Sequence, residues 1–482
     1  MATAAAAPPT VDVMSSFYQT IVKQAQGVLG NVLGNITPVP IEIAGHGNFP
    51  YNYLDINTNF NVKTWEFLNS VMQAGEHGGV VFGQPLTNAY STLVSALSYQ
   101  YSKADSIALE KARISGEQDA IALVVAYERT YGPITGAQLT AARVETKLDY
   151  IIGYKVQNVW AGENAPLKFT GGNVVNLVDA LPALPPAAQP LLGLITKYLG
   201  DLTSVLGLVN SSGAAATLLA NLRQNTTTPT TGNGGISTSD GKMHVAFSVK
   251  EAMAVIDTAL ANAANQFTVT FHVSNYTEDS TTVSVSGRAA GVIPIGDFLG
   301  IDLGGGASYN MHTLNTHGDE LDVTLTYTGV TLVNVGPNVY QEDTRTGWFD
   351  SQPLREAVAN YQQDVSGFQL TPWPSTYNFG VGGNFGYLNA LIISAYPTVT
   401  ISYANGSSSD YESQIKQNAS VGVSLFGIRL GGVEQSFGQG KVKQHGQGAG
   451  FDVTFVPNPP AGGVSDQTAY IIAGSVAYPA VA

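Results

Sequence analysis

No cysteine occurs in the 482-residue chain. Disulfides, thiol nucleophiles and thiolate metal sites are therefore excluded, and any redox compartment is compatible with the sequence. Charge is scarce too, at 12% of residues, against roughly 25% in ordinary soluble domains. What charge there is sums to −14, which repels a nucleic-acid backbone and disfavours an anionic lipid surface as a purely electrostatic target. Catalytic signatures are missing as well. There is no G-x-S-x-G elbow, no phosphate-binding glycine loop with Lys-Ser/Thr, no H-E-x-x-H and no dinucleotide fingerprint after a strand. No cofactor is expected, and the reading leans away from an enzyme. The opening MATAAAAPPTVDV has neither a basic nor an apolar leader region, so no secretory signal is expected, and the expectation is a chain that is cytoplasmic or leaves by a non-classical route. Without such a signal, the six Asn-x-Ser/Thr sequons, Asn225 and Asn405 among them, reflect an Asn/Thr-rich composition rather than glycosylation.

What is abundant is glycine, 53 residues, with Ser, Thr and Asn, a mix that suits strands, turns and self-associating or exported proteins. Part of the chain is written twice. TVT (Thr268–Thr270), GIDLGG (Gly300–Gly305) and DVT (Asp322–Thr324) recur in order as TVT (Thr398–Thr400), GIRLGG (Gly427–Gly432) and DVT (Asp452–Thr454). A His-Gly step, His317-Gly318 and His445-Gly446, precedes each DVT. Repetition of this kind fixes architecture before any motif does. Period-two alternation in the first copy (Val269, Phe271, Val273; Val323, Leu325, Tyr327) argues half-buried antiparallel strands.

The first half reads as helical. Asp12 caps a helix through Val13, Phe17 and Ile21, and Thr87–Tyr131 reads as one long helix or two collinear ones, with Ile107, Ile114 and Ile121 seven apart. Gly132-Pro133 breaks it, and a Thr135/Gln138 capping box opens a second helix to about Trp160, giving a helical hairpin. Leu191–Val209 reads as a core-facing amphipathic helix, because Lys197 and Asp201 interrupt the uncharged run a membrane span needs. A second box, Ser248 with Glu251, is expected to cap a short helix.

The fold class is thus α+β and multidomain: an N-terminal helical bundle with a long hairpin (1–225), a linker (226–240), and a β-sandwich-like region (241–482) built by duplication. Its copies span 267–327 and 397–455, with an aromatic-rich insert at 336–395.

Three constellations qualify as sites. Asp343, Arg345, Trp348 and Asp350 join a stacking ring to charged hydrogen-bonding groups, as a glycan or peptide site needs, and equally suit a domain junction. His312, His317 and Asp319 crowd one turn as candidate metal ligands. The Gly/Ser-rich alternating segments with Phe298, Ile301 and Leu303, and with Val421, Val423, Leu425, Ile428 and Leu430, have the pattern of hairpins that unroll into a membrane. The order of a helical bundle before β-rich modules is similar to the layout of several pore-forming and insecticidal toxins. The expectation is a non-enzymatic surface-binding protein, toxin-like and pore-forming in its sharpest version, whose partner is a membrane, glycan or protein surface. Alternatives are a structural protein that self-associates, and a hydrolase or glycan binder.

Overall fold

The computed structural model describes residues 12–42, 48–152, 189–274, 280–286, 291–294, 298–302, 308–310, 320–405, 408, 421–426, 428–430, 437–438, 440–445, 450–458 and 467–479. It is a mixed helix and antiparallel-sheet protein with several separate sheets. Two compact units part at other points than 226–240. One comprises Met1–Ala96, Asn221–Arg355 and Pro372–Ala482, the other Leu97–Ala220 and Glu356–Thr371.

The first unit begins with helix Val13–Leu29, opened by Asp12, whose Oδ1 accepts from the amides of Met14 (3.0 Å) and Ser15 (3.3 Å). Its Phe17, Ile21, Ala25 and Leu29 are buried, and the Phe17 ring lies 5.4 Å from that of Phe271. The helix packs on a seven-stranded antiparallel sheet in the order Gly291–Pro294, Ser280–Val285, Phe267–Ser274, Leu321–Tyr327, Thr398–Tyr403, Phe451–Phe455, Lys441–Gln444. Successive side chains of a strand point to opposite faces. Phe271, Val323, Ile401 and Val453 accordingly lie in the core, while Thr270, Thr324, Thr400 and Thr454 form one row on the other face.

Phe298 and Phe426, at 5.5 and 5.8 Å from the Phe271 ring, join that sheet to a four-stranded one of Ser308–Asn310, Leu299–Asp302, Gly422–Leu425 and Ile428–Arg429. A six-stranded sheet is organised on the closing strand Thr468–Ala477, which pairs with Val39–Pro40, Phe49–Pro50 and Tyr387–Ser394; Thr331–Pro337 and Phe247–Val249 extend it. A small hairpin, Met72–Ala74 with Val80–Phe82, turns around the buried carboxylate of Glu42, which accepts from the amides of Glu76 (3.2 Å), His77 (2.9 Å) and Gly79 (3.0 Å). A Cβ on Gly75 would stand 2.3 Å from Glu42 Oε1, hence glycine there.

The stretch expected as a linker is integral to this unit. Helix runs to Thr227, a 3-10 turn spans Thr231–Asn233, and strand Gly235–Ser237 pairs with Met243–Val245. Asn225 is buried and donates from Nδ2 to the carbonyls of Arg345 (3.0 Å) and Gly347 (2.7 Å), so a glycan at this sequon does not fit the fold. The expected Ser248/Glu251 cap is also corrected. Ser248 lies in strand Phe247–Val249, and Glu251 accepts from the backbone and side-chain N–H groups of Asn334 (both 2.7 Å); Ala252 precedes helix Met253–Leu260.

The second unit is mainly helical. Thr87–Tyr131 is not continuous helix: after Leu86–Ala96, strand Leu97–Gln100 pairs with Gly367–Leu370, and helix Lys103–Tyr131 follows, capped by Ser102. The Thr135/Gln138 box opens Gly136–Ala142, and Lys147–Tyr150 comes next; the remainder of that expected helix, with Trp160, lies outside the described residues. Helix Gln189–Thr227 returns through the unit. Its Leu191, Leu192, Ile195 and Leu199 pack with Leu123, Tyr127, Ile134, Tyr150, Ile151 and Ile152 in one core.

Candidate functional site

The four residues proposed to bind a ligand do not form an exposed site. Trp348 is 1% exposed. Its indole N–H donates to the Ala246 carbonyl at 2.7 Å, and its ring lies among Tyr90, Phe247 and Phe349 at 5.5–5.6 Å. A ring enclosed in this way offers no face to a sugar. Asp343 and Arg345 are exposed nearby, with Arg345 at φ 56°, while burial raises the half-buried Asp350 carboxyl, which accepts from the Gln352 amide. Composition showed an aromatic beside charges; the Ala246 carbonyl, 102 residues away, determines that the aromatic turns inward.

The described residues of the expected membrane hairpins are also turned inward. Phe298, Ile301, Val421, Val423, Leu425 and Leu430 are at most 2% exposed, and Ile428 is half-buried. Ile301 pairs with Val423 and Ile428 with Leu425, so both GI-x-LGG segments flank strand Gly422–Leu425. Leu303, His312, His317 and Asp319 lie outside the described residues, so neither the metal turn nor the end of the first hairpin has geometry here. Elsewhere, His77 bonds the helix-capping Asp12 (Nδ1 to Oδ2, 2.7 Å).

Several exposed apolar side chains gather on two helices of the helical unit. Helix Gln189–Thr227 follows the expected core-facing pattern for its first three turns. Beyond them Leu202, Leu206 and Val209 are 36%, 40% and 49% exposed. Lys197 and Asp201, the charges that argued against a membrane span, both precede the uncharged stretch from Leu202 to Leu222. The helix is long and apolar enough to cross a membrane over Pro190–Thr227, with a mean hydropathy of 1.4 in its most apolar window, and 11% of that window is buried. Between Leu202–Val209 and the first half of helix Lys103–Tyr131 runs an open groove of about 640 Å³, floored by Leu109, Gly116, Tyr198 and Val205.

Polar groups fasten these two helices. Lys197 Nζ lies 2.7 Å from Oδ1 of the buried Asp119, and this bond raises the Lys197 ammonium above its ordinary value. Within helix Lys103–Tyr131, on the groove's lining, the Arg113 guanidinium bonds Glu110 (2.7 and 2.9 Å) and Glu117 (2.6 Å) and lowers the Glu110 carboxyl.

On the exposed face of the seven-stranded sheet, His272 Nδ1 and Asp322 Oδ1 stand 2.9 Å apart, and His445 Nε2 and Asp452 Oδ2 2.7 Å apart. Among the described residues, no group of three or more His, Asp or Glu is placed to hold a metal ion. No family model, no curated protein and no solved structure matches the chain.

Proposed function

We propose that the chain is a surface-binding protein that engages lipid through its helical unit, a toxin-like, pore-forming protein being the sharpest form of this reading. Helix Gln189–Thr227 carries it. A span needs ~20 predominantly apolar residues, and Leu202 to Leu222 supplies an uncharged run of that order. A core helix of such composition hides its apolar side chains; this one leaves Leu202, Leu206 and Val209 in water. Because the net charge is −14, attraction rests on apolar burial, and zwitterionic vesicles are favoured over anionic ones.

The test is vesicle flotation together with dye release, on the intact chain. The expected result is flotation with zwitterionic vesicles that persists in high salt and is strongly reduced in Leu206→Asp and Val209→Asp. Absence of flotation with any lipid composition sinks the lipid reading; flotation without dye release removes the pore and keeps the surface.

The strand-rich region supports a second inference, that it is a β-sandwich-like module used twice. The two matched strand pairs share one register: Thr270 stands opposite Thr324, and Thr400 opposite Thr454. Their hydroxyls are 3.0 and 3.3 Å apart.

A further inference from the structure

Helix Lys103–Tyr131 carries a second apolar surface, separate from the uncovered side of helix Gln189–Thr227. Ile107, Ile114 and Ile121 are 68%, 44% and 66% exposed, and Val125 is 50% exposed. A seven-residue spacing keeps side chains in a nearly straight row along a helix, the repeat by which helices wrap around one another. The row has edges of different character. Lys111 and Gln118 lie along one, Glu110 and Glu117 along the other. Arg113 bonds both glutamates and so holds that carboxylate edge in place. Ile107, Glu110, Lys111 and Ile114 also border a shallow dimple, the i, i+3, i+4, i+7 diamond that receives one side chain of an adjoining helix.

We propose that this face is a self-association surface, on which a second copy of the chain docks helix to helix, parallel and in register. Orientation follows from the edges. A two-fold axis parallel to the helices sets the Lys111 edge of each copy against the Glu110 edge of the other, at nearly equal height. An antiparallel pair would set lysine edge to lysine edge and carboxylate edge to carboxylate edge, which costs free energy. Isologous contact also explains why one row of isoleucines suffices: in the parallel pair each meets its own counterpart. This inference does not depend on lipid engagement, and its cross-linking and sedimentation measurements contain no lipid.

The absence of native cysteine makes the experiment direct. Ile107→Cys, Ile114→Cys and Ile121→Cys, each made singly, are oxidised and resolved by mass, while sedimentation follows the parent chain over a concentration series. The expected result is a concentration-dependent dimer or higher parallel oligomer, with all three variants cross-linking to themselves. In an antiparallel pair centred on Ile114, the thiols introduced by Ile107→Cys in the two copies would be ~21 Å apart at ~1.5 Å rise per residue, far beyond the ~7 Å Cα limit of a disulfide. Self-cross-linking by Ile114→Cys alone therefore overturns the proposal. So does a parent chain that stays monomeric throughout, including the case in which Ile121→Glu abolishes vesicle flotation instead, which would assign the face to lipid. Lys111→Glu is expected to shift the equilibrium toward monomer, and Lys111→Glu with Glu110→Lys to restore it. Unchanged association in Ile114→Glu, with helical circular dichroism retained, also overturns it.

Discussion

Lys197 holds Asp119 at 2.7 Å, a cation 65% exposed against a carboxylate 6% exposed. Asp119 Oδ2 has no hydrogen-bond partner among the described residues, so Lys197 is the group that compensates this buried charge. The pair fastens helix Gln189–Thr227 to helix Lys103–Tyr131 next to the Leu123–Ile195 core.

Removing one member strands the other, whereas removing both leaves no orphan. Lys197→Met is therefore expected to lower the melting temperature of the helical unit, and Lys197→Met with Asp119→Leu to recover most of the loss. The pair also carries a pH signature. The Lys197 pKa is raised by its bond to Asp119, so the stabilisation is fully present below the ordinary lysine value of 10.5 and is lost as pH climbs through the raised value. Alkaline melting curves of the parent should show that loss, and Lys197→Met should lack it. Identical alkaline curves would show that the pair contributes nothing to stability.

Glu42 is the sole side chain seen to satisfy the three amides of Glu76, His77 and Gly79 together among the described residues. Leaving a buried donor unsatisfied costs about 1–3 kcal/mol. Glu42→Ala should lower stability in urea by at least that amount, with Glu42→Gln, which keeps one carbonyl acceptor, falling between. A Glu42→Ala midpoint equal to the parent's would show that water replaces the carboxylate without cost.

Thr270 and Thr400 provide the test of duplication. If the two strand pairs are equivalent, Thr270→Val and Thr400→Val each delete one hydroxyl pair at the same register position. They should then lower stability by similar amounts, about 0.5–1.5 kcal/mol for a single hydrogen bond. A large effect at one site and none at the other, measured by denaturant unfolding, argues against equivalent modules.

Features whose physics is local are legible in the sequence. Asp12 caps its helix, Thr135 and Gln138 form their reciprocal box, and Val269, Phe271 and Val273 alternate into the core, because each depends on neighbours a few residues away. Leu97–Gln100 was not legible: within a helical pattern it is strand because Gly367–Leu370, about 270 residues on, supplies its ladder. Ser248 and Glu251 have the spacing of a cap, yet Glu251 is drawn to Asn334 across a sheet.

The candidate sites divide in the same way. From the amino-acid order alone came the residue types: an aromatic beside charges, Gly/Ser hairpins with alternating apolar residues, a row of isoleucines seven apart, and the exclusion of thiol chemistry. Tertiary structure decided which of them meet water. Burial is a property of whatever packs against a residue, and the Trp348 indole found a carbonyl inside while Leu206 and Ile107 found no covering element.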